Sequence, residues 1–143
     1  MTAARVCETN VGMSIDSLQR AFLLVMAASI TPISLFYGLA PELTLTTVLG
    51  VEVSGVNTQH LFRAVMGLYL GMVSLWLVGA LRPSMRITAL WSLVVFAGGI
   101  AVGRFLSIVI DGWPSPLLTF FMLAEIGIAA TGWFLIRADQ QAR

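Results

Sequence analysis

Four long apolar stretches dominate the chain, over residues 21–40, 60–81, 87–110 and 117–136, each broken off by a short polar or arginine-bearing segment. Each meets the length of about 20 mostly apolar residues that a helix needs to cross the hydrocarbon core of a bilayer. None alternates apolar and polar positions as a membrane barrel strand does, and a lone segment in lipid satisfies its backbone polar groups only as a helix. The expected architecture is therefore all-α: a polytopic membrane protein, a four-transmembrane-helix bundle over residues 17–143, behind a cytoplasmic N-terminal tail over residues 1–16. A secretory signal is the competing interpretation of the first stretch. It fails on length, because the stretch stays apolar for about 20 residues, beyond the 7–15 of a signal's apolar core. Pro32 lies in mid-span and should kink that helix, with Ser29 and Thr31 near enough to satisfy the carbonyl it frees.

The connections carry their own pattern. Residues 41–59 are long for a link between helices and mix Thr, Val and Leu with two glutamates. A short interfacial helix starting at Pro41 is expected there, then a partly extended segment near residues 51–54, with Asn57 or Thr58 capping the second span.

Composition sharpens this picture. Hydrophobic residues make up 58% of the 143, charged residues 10%, and the mean hydropathy is +0.92, whereas a soluble domain carries about 25% charged residues. A soluble globular protein is excluded. Eight basic and seven acidic side chains leave a net charge of +1, too balanced for a chain that must neutralise phosphates, so no nucleic-acid partner is expected. Cys7 stands alone and no Cys/His cluster has zinc-ligand spacing, which argues against a disulfide scaffold and a metal site. With one histidine, no Gly-rich phosphate loop and no Ser/His/Asp constellation, soluble-type catalytic machinery has no candidates, and no cofactor is expected. Met26, Met66, Met72 and Met122 within the spans are read as adaptable packing.

Orientation follows from the arginines, which are the only basic residues besides His60. Arg5, Arg20, Arg82, Arg86, Arg137 and Arg143 all fall on one side of a four-pass chain. The opposite connections hold Glu42, Glu52 and Asp111 and no cation. By the positive-inside rule both termini are cytoplasmic. Trp76, Trp91 and Trp133 near the cytoplasmic ends, with Trp113 in the outer connection, form the expected interfacial belt.

Charges at membrane depth are costly and mark functional candidates. At about 1.5 Å of rise per residue, Arg63 lies roughly 5 Å below the outer end of its helix, Arg104 about 10 Å and Glu125 about 13 Å. All three belong to the outer half, so one shared polar cluster is expected. Arg104, Ser107 and Asp111 share a face of the third span. Arg63, Gly67 and Gly71 share a face of the second. Gly67 and Gly71, like Gly99 and Gly103, have the spacing of helix-contact pairs, and these faces are expected to look inward. Glu125, Ala129 and Gly132 on the fourth span, and Ala27, Thr31, Ser34 and Gly38 on the first, are further small-residue stripes. Two guanidinium groups beside Glu125 and Asp111 could bind an anionic or polar head group, with polar contacts from His60 and Tyr69. The alternative is an inert ion network that fixes helix register.

The segments Arg63-Ala-Val-Met-Gly-Leu-Tyr-Leu-Gly71 and Gly98-Gly-Ile-Ala-Val-Gly-Arg104, continued through Asp111-Gly112-Trp-Pro114, together with Glu125, carry a resemblance. The chain resembles the small bacterial four-helix membrane proteins grouped as domain of unknown function 4345, from about Leu35 to Ile136. The resemblance implies that Arg63, Arg104, Asp111 and Glu125 belong to a common site; it implies no reaction.

Three functions of different classes are open at this point. The favoured one is a non-enzymatic membrane protein that binds a lipid, quinone or anionic small molecule in an outer-leaflet polar pocket, or an accessory subunit of a larger membrane complex. Its expected partners are membrane lipids, and a larger complex or a homo-oligomer. A small dimeric proton-coupled transporter using Glu125 is the second, although no inverted repeat is visible. An intramembrane isomerase-like enzyme is the third, by fold-level analogy alone.

Overall fold

The computed structural model describes residues 14–142; Arg5, Cys7, Arg143 and most of the expected tail lie outside them. Among the described residues there are five α-helices and one 3-10 turn: α1 Ile15–Gly38, α2 Pro41–Leu49, α3 Val56–Leu81, a turn at Pro83–Met85, α4 Arg86–Asp111 and α5 Pro116–Ala142. Four of them, all but α2, are long and apolar enough to span a membrane.

The termini of these helices follow local chemistry more than hydropathy. α1 starts well ahead of residue 21 because the Ser14 hydroxyl accepts from the Ser17 amide at 3.2 Å and Asp16 sits in the first turn, where a carboxylate offsets the helix dipole. A polar first turn is invisible to a search for apolar length. The helix runs on across Pro32, and Thr31 donates to Ala27 at 2.7 Å. That is a correction: the carbonyl that Pro32 deprives of a donor is Ala28's, which Thr31 does not serve. α2 begins on Pro41, as anticipated, and ends at Gly50 in the left-handed region (φ 66°), from which the Val51 amide returns to Leu45 at 3.2 Å. Residues 50–54 are non-helical. α3 starts at Val56, with Gly55 (φ 83°) at the cap position and no side-chain cap. Asn57 and Thr58 therefore lie inside the first turn and do not cap it.

α1 packs along α3 and α4 along α5, and α3 joins the two pairs by lying against α4. The core gathers at one end of the bundle, where α1 and α4 begin and α3 and α5 finish. Leu23, Trp76, Leu90, Leu93 and Ile136 are all buried there. Close approach depends on small residues: a side chain at Gly79 would overlap Ala89, and one at Gly132 would strike Val94. The buried amide of Gln19 donates to the Leu135 carbonyl at 3.1 Å, tying α1 to α5. Both ends of the described chain thus emerge on the same side.

Trp76 belongs to this core and not to an interfacial belt, being 1% exposed with its indole donating to Ser92 at 3.2 Å. Trp91 and Trp133 do lie at the surface of that end, edge to face at 5.3 Å, with the Arg137 guanidinium 4.8 Å from the Trp133 ring. Trp113 is exposed in the connection at the opposite end.

Arg86 is the surprise of the packed end. It is buried, it is ion-paired with Asp16 of α1, and it donates through Nε to the Gly79 carbonyl at 3.3 Å and through an amino group to Ala80 at 3.2 Å. Pro83 explains the need. The Gly79 carbonyl would ordinarily accept from residue 83, which as proline has no N–H. The arginine three residues on supplies the missing donor and links α1, α3 and α4 at one point.

Candidate functional site

Towards the other end the two helix pairs separate, and the space between them is a cavity of about 110 Å³. Its walls come from all four spanning helices: Met26, Ile33 and Tyr37 of α1, Tyr69 and Trp76 of α3, Phe96 and Arg104 of α4, Phe121 and Glu125 of α5. Aromatic rings share the lining with aliphatic side chains. Tyr37 and Tyr69 lie 5.9 Å apart, Tyr69 meets Phe96 edge-on at 5.0 Å, and Phe96 meets Trp76 at 5.7 Å.

α4 places its arginine by a strict inward register. Leu90, Leu93, Ala97 and Ala101 are buried in turn, and Arg104 is the next residue on that face. α5 does the same from the other direction, with Gly132 against Val94, Ala129 beside Gly98 and Glu125 one turn further. The two charges meet: Arg104 Nε donates to both Glu125 carboxylate oxygens, at 2.9 and 3.1 Å. Their side chains are 25% and 16% exposed. This geometry engages only one of the guanidinium's three nitrogens. The two terminal amino groups, with four N–H bonds between them, have no acceptor among the described residues, and neither tyrosine hydroxyl on the cavity has one either. The site therefore offers several hydrogen-bond donors at the polar end of an apolar, aromatic chamber.

Arg104 also borders a second, smaller cavity of about 90 Å³ towards the α4–α5 connection, lined by Ser107, Gly112, Pro114, Leu118 and Met122. Ser107 donates to Asp111 at 2.7 Å one turn along the same helix, so Asp111 is occupied locally and does not pair with Arg104.

The other expected members are dispersed. Arg63 is exposed and lines a separate groove against α2, with Glu42, Thr46 and Gln59. It shares depth with Arg104 but not direction. His60 is exposed on the first turns of α3 and borders none of these cavities. Gly67, Gly71, Gly99 and Gly103 also face away from the interior: a methyl group added at any of them meets no atom within 4 Å. Within the chain they make none of the close helix contacts expected of them. Those fall to Gly38, whose added side chain would overlap Met66, and to Gly79 and Gly132. The stripe on α1 does pack, with Ser34 buried and donating to the Met66 carbonyl at 3.0 Å. Tyr69 was expected at the site, whereas Tyr37 and Phe96 went unremarked in the sequence because a ring at helical spacing reads equally as core; for Tyr37 only its position one turn from Ser34 and seven residues from Ile30 hints at an inward face.

No curated protein and no solved structure matches the chain. Residues 18–136 match the family described as Domain of unknown function (DUF4345), a longer stretch than the resemblance from Leu35 suggested and one that takes in every residue of the Arg104–Glu125 site. The chain belongs to that family, as a membrane protein whose function the family leaves open.

Proposed function

We propose that this protein is a membrane-embedded binding protein that holds a lipid, quinone or anionic amphiphile, with the apolar part of the ligand among Tyr69, Phe96 and Phe121 and its polar end on Arg104. One observation carries this reading. Arg104 is fixed by Glu125 through Nε alone, so its outer fork remains available at the end of a chamber otherwise lined by apolar and aromatic groups. Planar, bidentate recognition of an oxygen acceptor is what a guanidinium so held does best, and an apolar pocket with a few converging polar groups is the ordinary form of a small-molecule site. A purely structural ion pair would need neither the cavity nor the spare donors.

The test is native mass spectrometry of protein extracted from its own membrane. Wild type is expected to retain a small molecule that the double variant Arg104→Gln, Glu125→Gln loses while keeping its helicity and elution volume. Equal retention by both proteins would remove the site from consideration.

We further propose that the packed end faces the cytoplasm in a bacterial inner membrane, supported by Arg20, Arg82, Arg86 and Arg137 at that end and by Glu42, Glu52 and Asp111 at the other. In a Cys7→Ser background, Thr44→Cys should react with an impermeant thiol reagent from outside and Ser84→Cys should not; the reverse pattern would invert the orientation.

A further inference from the structure

We infer that the ligand is a single-chain amphiphile of the long-chain carboxylic acid type, and that it slips in sideways from the bilayer between α1 and α5. This rests on the binding reading above and narrows it to one chemical class.

A third cavity, of about 260 Å³, lies on the outer face of the bundle over the seam between α1 and α5, roofed by the last turn of α2. Pro32, Ile33, Val48 and Leu117 on its walls are all exposed, and Pro32 sits deep within a spanning helix, so this cavity opens onto the lipid. Ile33, Tyr37 and Phe121 line both it and the central chamber. Those three side chains stand between the two cavities. Side chains of this kind change rotamer far faster than helices move, which makes the partition a door instead of a wall.

Size selects a chain. The central chamber, at about 110 Å³, is slightly smaller than the cavity of roughly 150 Å³ that accepts a benzene-sized guest. A whole lipid does not fit it. One end of a chain does, with the remainder lying in the lateral groove. Chemistry selects the head. The groove's lining is apolar apart from the Tyr37 hydroxyl, so a group with a permanent charge, such as a phosphate or sulfate ester, would cross it stripped of water and without a counter-ion. A carboxylic acid crosses as the neutral acid, and its carbonyl oxygen then accepts from the terminal nitrogens of Arg104. The competing way in, the small cavity beside Ser107 and Gly112, would suit a water-borne anion.

Trp76 provides the readout, because it lines the chamber while being 1% exposed, so lipid around the protein does not touch it. The protein with Trp91→Phe, Trp113→Phe and Trp133→Phe is placed in phosphatidylcholine vesicles and mixed with dibromostearic acid, whose bromines quench an indole on near contact. We expect Trp76 to be quenched. We expect Val48→Phe with Leu117→Phe, which obstruct the groove without lining the chamber, to slow quenching by about tenfold or more, and Met122→Phe in the other cavity to change it by less than about twofold. A dibromoalkyl sulfate of the same chain length should be slower than the acid by about tenfold. Should Met122→Phe be the variant that slows quenching, or bromobenzoate quench Trp76 where the long-chain acid does not, the lateral route and the ligand class are overturned while the chamber remains a binding site. If no brominated probe quenches Trp76, the binding reading falls together with this inference. Native mass spectrometry of retained dibromostearic acid, on the chain with all its tryptophans, must rank the same variants in the same order.

Discussion

The two ends of this bundle solve opposite problems with the same residue type. At the packed end an arginine is used up: Arg86 donates to Asp16, Gly79 and Ala80, at the end where Leu23, Trp76 and Leu90 form the core. At the open end an arginine is held back: Arg104 spends one nitrogen on Glu125 and keeps the others over a cavity. The difference teaches that such an arginine is informative through its unused donors, since both are ion-paired and only the spare nitrogens tell them apart.

Several substitutions would break or sharpen this contrast. The largest loss is expected at Arg86. Replacing it by Met strands two buried carbonyls at about 1–3 kcal/mol each, so thermal unfolding in detergent should show a destabilisation of about 2–5 kcal/mol. Asp16→Asn should cost no more than about 1 kcal/mol, because the Asp16 side chain is 68% exposed. An equal loss from both would mean that the ion pair, and not carbonyl satisfaction, is what matters. Leu23→Ala in the same half should cost about 2–5 kcal/mol by opening a void in close packing, whereas Ile33→Ala, beside space that already exists, should cost less. If the two truncations cost the same, the open half is packed as tightly as the other.

A smaller effect is expected at the Arg104–Glu125 pair. In a double-mutant cycle of Arg104→Gln and Glu125→Gln the coupling should be about 0.5–3 kcal/mol, with simple additivity meaning that the two groups do not interact. The smallest changes belong to the outward faces. Gly67→Ala, Gly103→Ala and Arg63→Gln should each stay within about 0.5 kcal/mol for the monomer. A larger loss, accompanied by a drop in mass on a sizing column, would reveal a second copy seated on those faces.

How much of this was legible in the sequence divides along physical lines. The spans were readable because bilayer thickness sets a length, and the Arg104–Glu125 pair was readable because Glu125 is the one carboxylate well inside a span. Grouping Arg63 with them failed because rise along a helix says nothing about rotation around it. The rotation of α3 was nonetheless written in Trp76, Tyr69 and Phe62, spaced by seven, which mark an inward face that excludes Arg63 and Gly67. Likewise Leu90, Leu93, Ala97 and Ala101 point α4 towards Arg104 and turn Gly99 away. Small residues invite close packing only when they face a neighbour, so Gly79 and Gly132, outside any paired motif, mattered more than the two glycine pairs. Arg86 was read as a topological signal alone, although Pro83 three residues earlier already announced an unsatisfied carbonyl.

The order of the chain makes α5 the segment that completes the Arg104–Glu125 pair. Synthesis delivers α1 to α4 before α5, and Arg86 can fasten α1, α3 and α4 at the packed end while α5 is still to be made. Through that interval Arg104 stands on α4 with no carboxylate opposite it. When α5 inserts, it carries Glu125 to that charge and Gly132 to Val94, and only then does the chamber acquire its fourth wall. α5 thus brings both the carboxylate and the closing wall, and a chain cut short before it would keep the arginine without ever enclosing the cavity.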